Sequence, residues 1–212
     1  KINGKEYIVK TIVTTETIKT IAERNGVEMY DVYTGFKWIA NVMRENEGKK
    51  NYIGGGEESY GFLCEDFVRD KDAVSACVIL AEIAAWAKDQ GLSLYQLLQK
   101  IYVEYGFSKE KGISVVKKGK SGAEEIEAMM KKFRENPLTE IAGSKVTYFY
   151  DYSTLKGKDY AENETVTLDM PTTSNVLQYF TEDNTKVSIR PSGTEPKIKF
   201  YCEVHSKVKN ID

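Results

Sequence analysis

Along residues 6–13, EYIVKTIV, apolar and polar side chains alternate and β-branched residues are frequent, which predicts a strand. TTETIKTIAERNG follows with a Thr cap, Ile18, Ile21 and Ala22 on one face and Gly26 at the C-terminal end, the pattern of a helix. MYDVY predicts a second strand, and TGFKWIANVMREN sets Phe36, Ile39, Ala40 and Met43 at helical spacing. NYIGG predicts a third strand that runs into glycines and a polar loop. Asp72–Lys88 is apolar nearly all round and reads as a buried helix capped by Asp72. SLYQLLQKIYVEYG opens with a Ser93…Gln96 capping box and is expected to bury Leu94, Leu97, Leu98, Ile101 and Tyr105. Strands alternating with helices predict an α/β domain over residues 1–115, with a mixed, largely parallel sheet flanked by helices.

The pattern changes near VKKGKSG, so we expect a domain boundary around residues 110–122. Ser121 and Glu124 suggest another capping box, Ile126, Met129, Met130 and Phe133 form a narrow apolar stripe, and Pro137 ends that helix. KVTYFYDYST, TVTLDM, NVLQYFTED, KVSIR and KIKFYCEV then read as successive strands without long helices between them. One helix and a run of strands predict a small α+β domain over residues 120–212, an antiparallel sheet packed on helices.

Charge narrows the function classes. The chain has 30 basic and 32 acidic residues in 212, a balance that argues against a nucleic-acid partner. A small anion needs only a local positive spot, so it stays open. Three scattered cysteines and one histidine, His205, give neither a disulfide framework nor a zinc set, and a reducing, cytoplasmic compartment fits. The longest apolar run, Ala73 to Ala87, is broken by Ser75 and Glu82 and is too short to span a bilayer, so no membrane partner is expected. The chain begins with Lys1, and its first residues already read like strand. We therefore expect it to be a piece of a longer protein.

Two loops carry candidate chemistry. RPSGTEP, Arg190 to Pro196, offers an Arg fork, the hydroxyls of Ser192 and Thr194, and Gly193, which lets backbone N–H groups approach a ligand. Arg grips phosphate bidentately, and clustered amides form an anion nest. Lys197 and Lys199 add positive potential. The same residues also suit an ordinary turn. GGGEESYGF, Gly54 to Phe62, places Glu57, Glu58 and Ser59 at a strand end, where α/β folds put ligands. Its glycines permit positive φ and tight turning, and its acids suit sugar hydroxyls better than phosphate. A metal site is a rival reading, and Glu58 can equally face solvent. Thr34 serves either as a helix cap or as a ligand contact. Lys71, beside a helix start, suits an anion or stands as a solvated charge.

In order and spacing, VYTGFKWI, GGGEESYGF, RDKDAVSA and RPSGTEPKIKFY resemble the C-terminal half, the third and fourth domains, of the α-D-phosphohexomutase superfamily, the phosphoglucomutases and phosphomannomutases. The resemblance implies a phosphoserine enzyme with four domains around a cleft that moves a phosphoryl group between C1 and C6 of a hexose through a bisphosphate. It implies a phosphate cradle of Arg190, Ser192, Gly193 and Thr194, sugar contacts by Glu57 and Ser59, and further substrate contacts by Thr34 and Lys71. The serine loop and the Asp-rich Mg2+ loop of that superfamily have no match here, and TTSN at Thr172–Asn175 lacks the His of the serine loop. Mg2+ and a sugar bisphosphate activator would therefore belong to the intact enzyme. The expected partners are a phosphosugar and the N-terminal domains of the same protein, and the chain alone is expected to be inactive. Tyr60-Gly61 departs from the Gly-His of phosphomannomutase-type members. A phosphopentomutase and a non-catalytic sugar-phosphate-binding protein are the alternative readings.

Overall fold

The computed structural model describes residues 2–117, 119–193 and 195–210. They form two compact units, the first of residues 1–108 with 207–212 and the second of residues 109–206.

The first unit is built on β1 (Glu6–Thr11), β2 (Glu28–Val32), β3 (Asn51–Gly56) and β4 (Phe62–Cys64), in the sheet order β2-β1-β3-β4. β1 runs parallel to β2 and β3, and the short β4 returns antiparallel to β3. The connections supply α1 (Thr17–Arg24) and α2 (Phe36–Asn46), with α3 (Ala73–Asp89) and α4 (Leu94–Tyr105) after β4. The α2 stripe of Phe36, Ile39 and Met43 is buried against Tyr7, Val9, Tyr52 and Leu63 from the sheet. Tyr7 packs edge-on against both Tyr30 and Tyr52, with ring centroids 5.6 and 5.5 Å away.

The glycines of β3 answer to contact rather than to positive φ, because none of Gly54, Gly55 and Gly56 is left-handed. A Cβ on Gly55 would stand 2.3 Å from the Val9 carbonyl oxygen and 2.7 Å from the Tyr52 hydroxyl. A Cβ on Gly56 would stand 2.6 Å from the Gly61 carbonyl oxygen. The β1–β3 register shifts at Tyr7/Ile8, just before this close approach.

Asp72 caps α3 by accepting from the Ser75 amide at 2.7 Å, and Ser93 and Gln96 close the capping box of α4, both as the sequence predicts. Burial of these helices differs from expectation. Ala87 is the buried residue of α3, while Val74, Val78, Leu80 and Trp86 are exposed. No residue of α4 is fully buried. An apolar sequence sets a preference for burial, but the tertiary layer has to supply the cover, and α3 meets β4, a strand of three residues.

The second unit is an antiparallel sheet in the order β5-β12-β11-β10-β7-β8-β9. Its strands are β5 (Phe107–Val116), β6 (Glu140–Ile141), which pairs with β7, β7 (Ser144–Asp151), β8 (Lys156–Asp159), β9 (Glu164–Thr167), β10 (Leu177–Thr181), β11 (Lys186–Pro191) and β12 (Lys197–Ser206). The stretch expected to join two domains is therefore partly β5, a mostly exposed edge strand. α5 (Gly119–Glu135) lays Ile126 and Met130 on Val146, Leu177, Tyr179, Ile189 and Ile198. Ser121 falls inside this helix, so it cannot serve as the N-cap that the capping-box pattern suggested.

The opposite face of the sheet buries several polar side chains beside aromatic rings. The Tyr152 hydroxyl donates to Gln178 Oε1 at 2.6 Å, and Gln178 Nε2 donates to Ser188 Oγ at 2.8 Å. Lys186 Nζ stands 3.1 Å from Glu203 Oε2, with both side chains almost fully buried; the contact is an ion pair without hydrogen-bond alignment at that oxygen.

Gly55→Ala is expected to destabilise the chain by about 1–3 kcal/mol, because the added methyl must displace backbone. Urea unfolding followed by circular dichroism checks this, and an unchanged midpoint contradicts it. Glu203→Leu should cost about 3–5 kcal/mol by removing a buried carboxylate that faces the buried Lys186 ammonium. Adding Lys186→Met should recover most of that loss in the same measurement.

Candidate functional site

In the first unit the parallel strands stop together. β1 ends at Thr11, β2 ends at Val32 two residues before Thr34, and β3 ends at Gly56 one residue before Glu57. Parallel register thus brings Thr34, Glu57 and Ser59 to the same edge of the sheet, the edge where open α/β sheets receive ligands.

GGGEESYGF is the turn of the β3–β4 hairpin. It is closed by the Glu57 amide donating to the Gly61 carbonyl at 2.7 Å, with Tyr60 left-handed at φ 67° and fully exposed. Glu57 turns inward, and its Oε1 accepts from the Gly35 amide at 2.7 Å. Gly35 is the N-cap of α2, and no side chain of its own segment caps the helix, so Thr34 does not serve as the cap. Glu57 supplies the anion that the helix start favours and ties two loops together. Its Oε2 stands beside Gly61, where a Cβ would be 3.0 Å from that oxygen and 3.3 Å from Lys71 Cδ. Glu57 and Lys71 therefore meet at one glycine, with Ser59 exposed on the same turn.

Lys71 is half-exposed. Its ammonium stands 3.0 Å from Asp70 and 5.8 Å from the Phe36 ring centroid. An exposed pair of this kind is worth about 0–1 kcal/mol, so the ammonium is readily given up to a ligand. Lys71 also lines a groove of about 750 Å³ with Lys37, Arg44 and Arg69.

Two residues that the sequence reading did not single out belong to this edge. Lys10 is 1% exposed at the end of β1, with Asp31 Oδ1 at 2.6 Å and Glu16 Oε1 at 3.1 Å. Burial alone would lower its pKa, but the two carboxylates outweigh it and hold the ammonium above the ordinary lysine value. The neighbouring Thr11 hydroxyl meets Thr14 at 2.9 Å and donates to Glu58 Oε2 at 3.3 Å. Glu58 is thereby tied to the end of β1 rather than turned to solvent. The one signal for Lys10 in the sequence was a lysine inside an alternating strand, a position that surface lysines also occupy.

In the second unit RPSGTEP spans the β11–β12 turn. Ser192 N donates to the Lys197 carbonyl at 2.7 Å, and Lys197 N donates to Glu195 O at 2.7 Å. Arg190 is half-buried at the end of β11, and among the described residues no hydrogen bond or ion pair engages its guanidinium. Gly193 is exposed with nothing within 4 Å of a Cβ position, so the turn is open on that side. Thr194 lies outside the described residues. Lys197 Nζ is held by Glu195 at 2.6 Å. Among the described residues no three His, Cys, Asp or Glu side chains gather to hold a metal, and no helix is long and apolar enough to cross a membrane.

Residues 1–105 match the family model of the phosphoglucomutase/phosphomannomutase alpha/beta/alpha domain III, and residues 114–210 match that of the C-terminal domain. A phosphoglucomutase of Staphylococcus aureus strain RF122 is 40% identical over 205 residues, 97% of this chain and 36% of the relative. One from Staphylococcus haemolyticus is 36% identical over 198 residues, 93% of this chain and 36% of the relative. The chain thus spans about a third of the length of these curated relatives. Among solved structures, the open form of Paramecium parafusin, a phosphoglucomutase, aligns over 96% of this chain and 33% of its own, with a TM-score of 0.63 at 18% identity, a likeness of fold. With two consecutive domain models covering nearly its whole length, the chain belongs to the phosphoglucomutase/phosphomannomutase family.

Proposed function

We propose that this chain is the substrate-recognition half of a phosphoglucomutase-type enzyme, which as a whole moves a phosphoryl group between C1 and C6 of a hexose. The first unit recognises sugar hydroxyls. Glu57 is fixed through its Oε1, so its Oε2 is presented at a set point, and Ser59, Thr34 and Lys71 stand on the same edge. The second unit grips the phosphate that is not reacting, through Arg190, Ser192, Gly193 and Thr194. The observation that carries this reading is Arg190, a half-buried guanidinium with no described partner on an open turn. Relatives named phosphoglucomutase support a hexose over a pentose phosphate as substrate.

A mutase of this kind must accept its sugar in two opposite orientations while one phosphate stays put. A fixed cradle and a few acceptors for shared hydroxyls meet that need, since positioning and preorganised charge supply much of the rate. The phosphoserine and the magnesium of the whole enzyme have no counterpart motif in this sequence, so bond-breaking is not assigned to this chain.

Arg190→Ala in the full-length enzyme should weaken glucose 1-phosphate binding by about 10- to 100-fold, the loss of a charge-assisted hydrogen bond. Titration calorimetry measures this, and unchanged affinity sinks the cradle. The 212-residue chain alone should give no turnover of glucose 1-phosphate in a coupled assay, and clear turnover contradicts the division of labour.

A further inference from the structure

The groove of about 750 Å³ that Lys71 borders lies within the first unit, along the exposed side of α2. Its size is that of a small-ligand site. Lys37, Asn41 and Arg44 recur at i, i+4 and i+7, so one stripe of α2 forms a wall. The loop before α3 forms the other wall, and Arg69 and Lys71 splay from it toward opposite ends of α2. Arg69 reaches Glu47, the C-cap of α2, at 3.3 Å. Lys71 stands 5.8 Å from the ring centroid of Phe36, the first residue of α2. Each end of the groove thus gathers two cations, Lys37 with Lys71 and Arg44 with Arg69.

Each end also holds one carboxylate, and both are engaged. Glu47 faces Arg69, and Asp70 accepts from the Lys71 ammonium at 3.0 Å and from the Lys71 amide at 2.8 Å. Among the described residues neither Lys37 nor Arg44 forms a salt bridge: the Lys37 ammonium lies 5.1 Å from the Trp38 ring centroid, and Arg44 donates to Asn41 Oδ1 at 2.8 Å. Two cations against one carboxylate leave an excess positive charge at each end. Seven helical residues separate Lys37 from Arg44, which sets the two ends about 10 Å apart. Between them lie the uncharged Ala40 and Asn41.

We propose that this groove binds a small elongated ligand with an anionic group, phosphate or carboxylate, at each end. A ligand with one anionic end, or with two close together, answers one excess charge and leaves the other. An Arg fork and a lysine suit either anion. The site uses no residue of the β11–β12 turn, so it stands apart from the phosphate reading of that turn. It borders the sugar edge at Lys71.

Suberate, succinate, 1,6-hexanediol bisphosphate and hexyl phosphate, titrated into the isotope-labelled 212-residue chain and followed by amide shifts, test this. Suberate and succinate carry the same charge at different spacing, and the two phosphates differ by one anionic end. Suberate should bind at least about tenfold more tightly than succinate, and the bisphosphate at least about tenfold more tightly than hexyl phosphate, with shifts at residues 36–47 and 69–71. Lys37→Gln and Arg44→Gln, at exposed positions of α2, should each remove that advantage. Arg190→Ala should keep it, which separates the groove from any phosphate held at the β11–β12 turn. An advantage confined to one pair of probes supports the site and names its anion. An advantage in neither pair, one that survives either glutamine variant, one lost in Arg190→Ala, or shifts absent from residues 36–47 overturns the inference.

Discussion

Gly55 stands where a Cβ would lie 2.3 Å from the Val9 carbonyl oxygen, so β3 takes its place beside β1 only with glycine there. That close approach fixes where β3 ends and the β3–β4 turn begins. The turn in turn aims Glu57 at the start of α2, where its carboxylate accepts from the Gly35 amide. Loop chemistry sits directly on strand packing in this unit: the approach stands two residues before Glu57, which shares one sheet edge with Ser59, Lys71 and the end of β2. The second unit obeys the same constraint by another route. There the β11–β12 register decides that Arg190 faces Lys199, while Lys186 faces Glu203.

Much of this was legible in the sequence because periodicity reports which face of an element wants burial. The α2 stripe of Phe36, Ile39 and Met43 and the α5 residues Ile126 and Met130 lie where spacing put them. The Asp72 cap and the Ser93–Gln96 box are local hydrogen bonds, written in four consecutive residues. β5 was not legible, since an edge strand with most positions exposed has little reason to alternate. Nor was β4, whose three residues fall short of any pattern. Ser121 carried the letters of a cap but sits inside a helix that begins at Gly119. The exposure of α3 depends on what the fold lays over it, which an apolar run cannot report.

The same division holds for the candidate site. Residue types named the two loops, because Arg with hydroxyls and glycine suits phosphate and Glu with Ser suits sugar hydroxyls. Partners came only with the structure. They show that Glu57 is held through one oxygen, that Glu58 is tied to Thr11, that Lys197 is neutralised by Glu195 and that Lys10 is buried between Asp31 and Glu16. A ligand can recruit charges that the protein leaves unpaired, and among the described residues Arg190 on the β11–β12 turn is one of them.

The central claim is that one chain carries two recognition loops for one phosphosugar. Amide shift mapping of the 212-residue chain with glucose 1-phosphate tests it most directly. Saturable shifts should appear both at residues 57–61 and at residues 190–193. Shifts confined to other surfaces, or none at saturating ligand, would contradict the account.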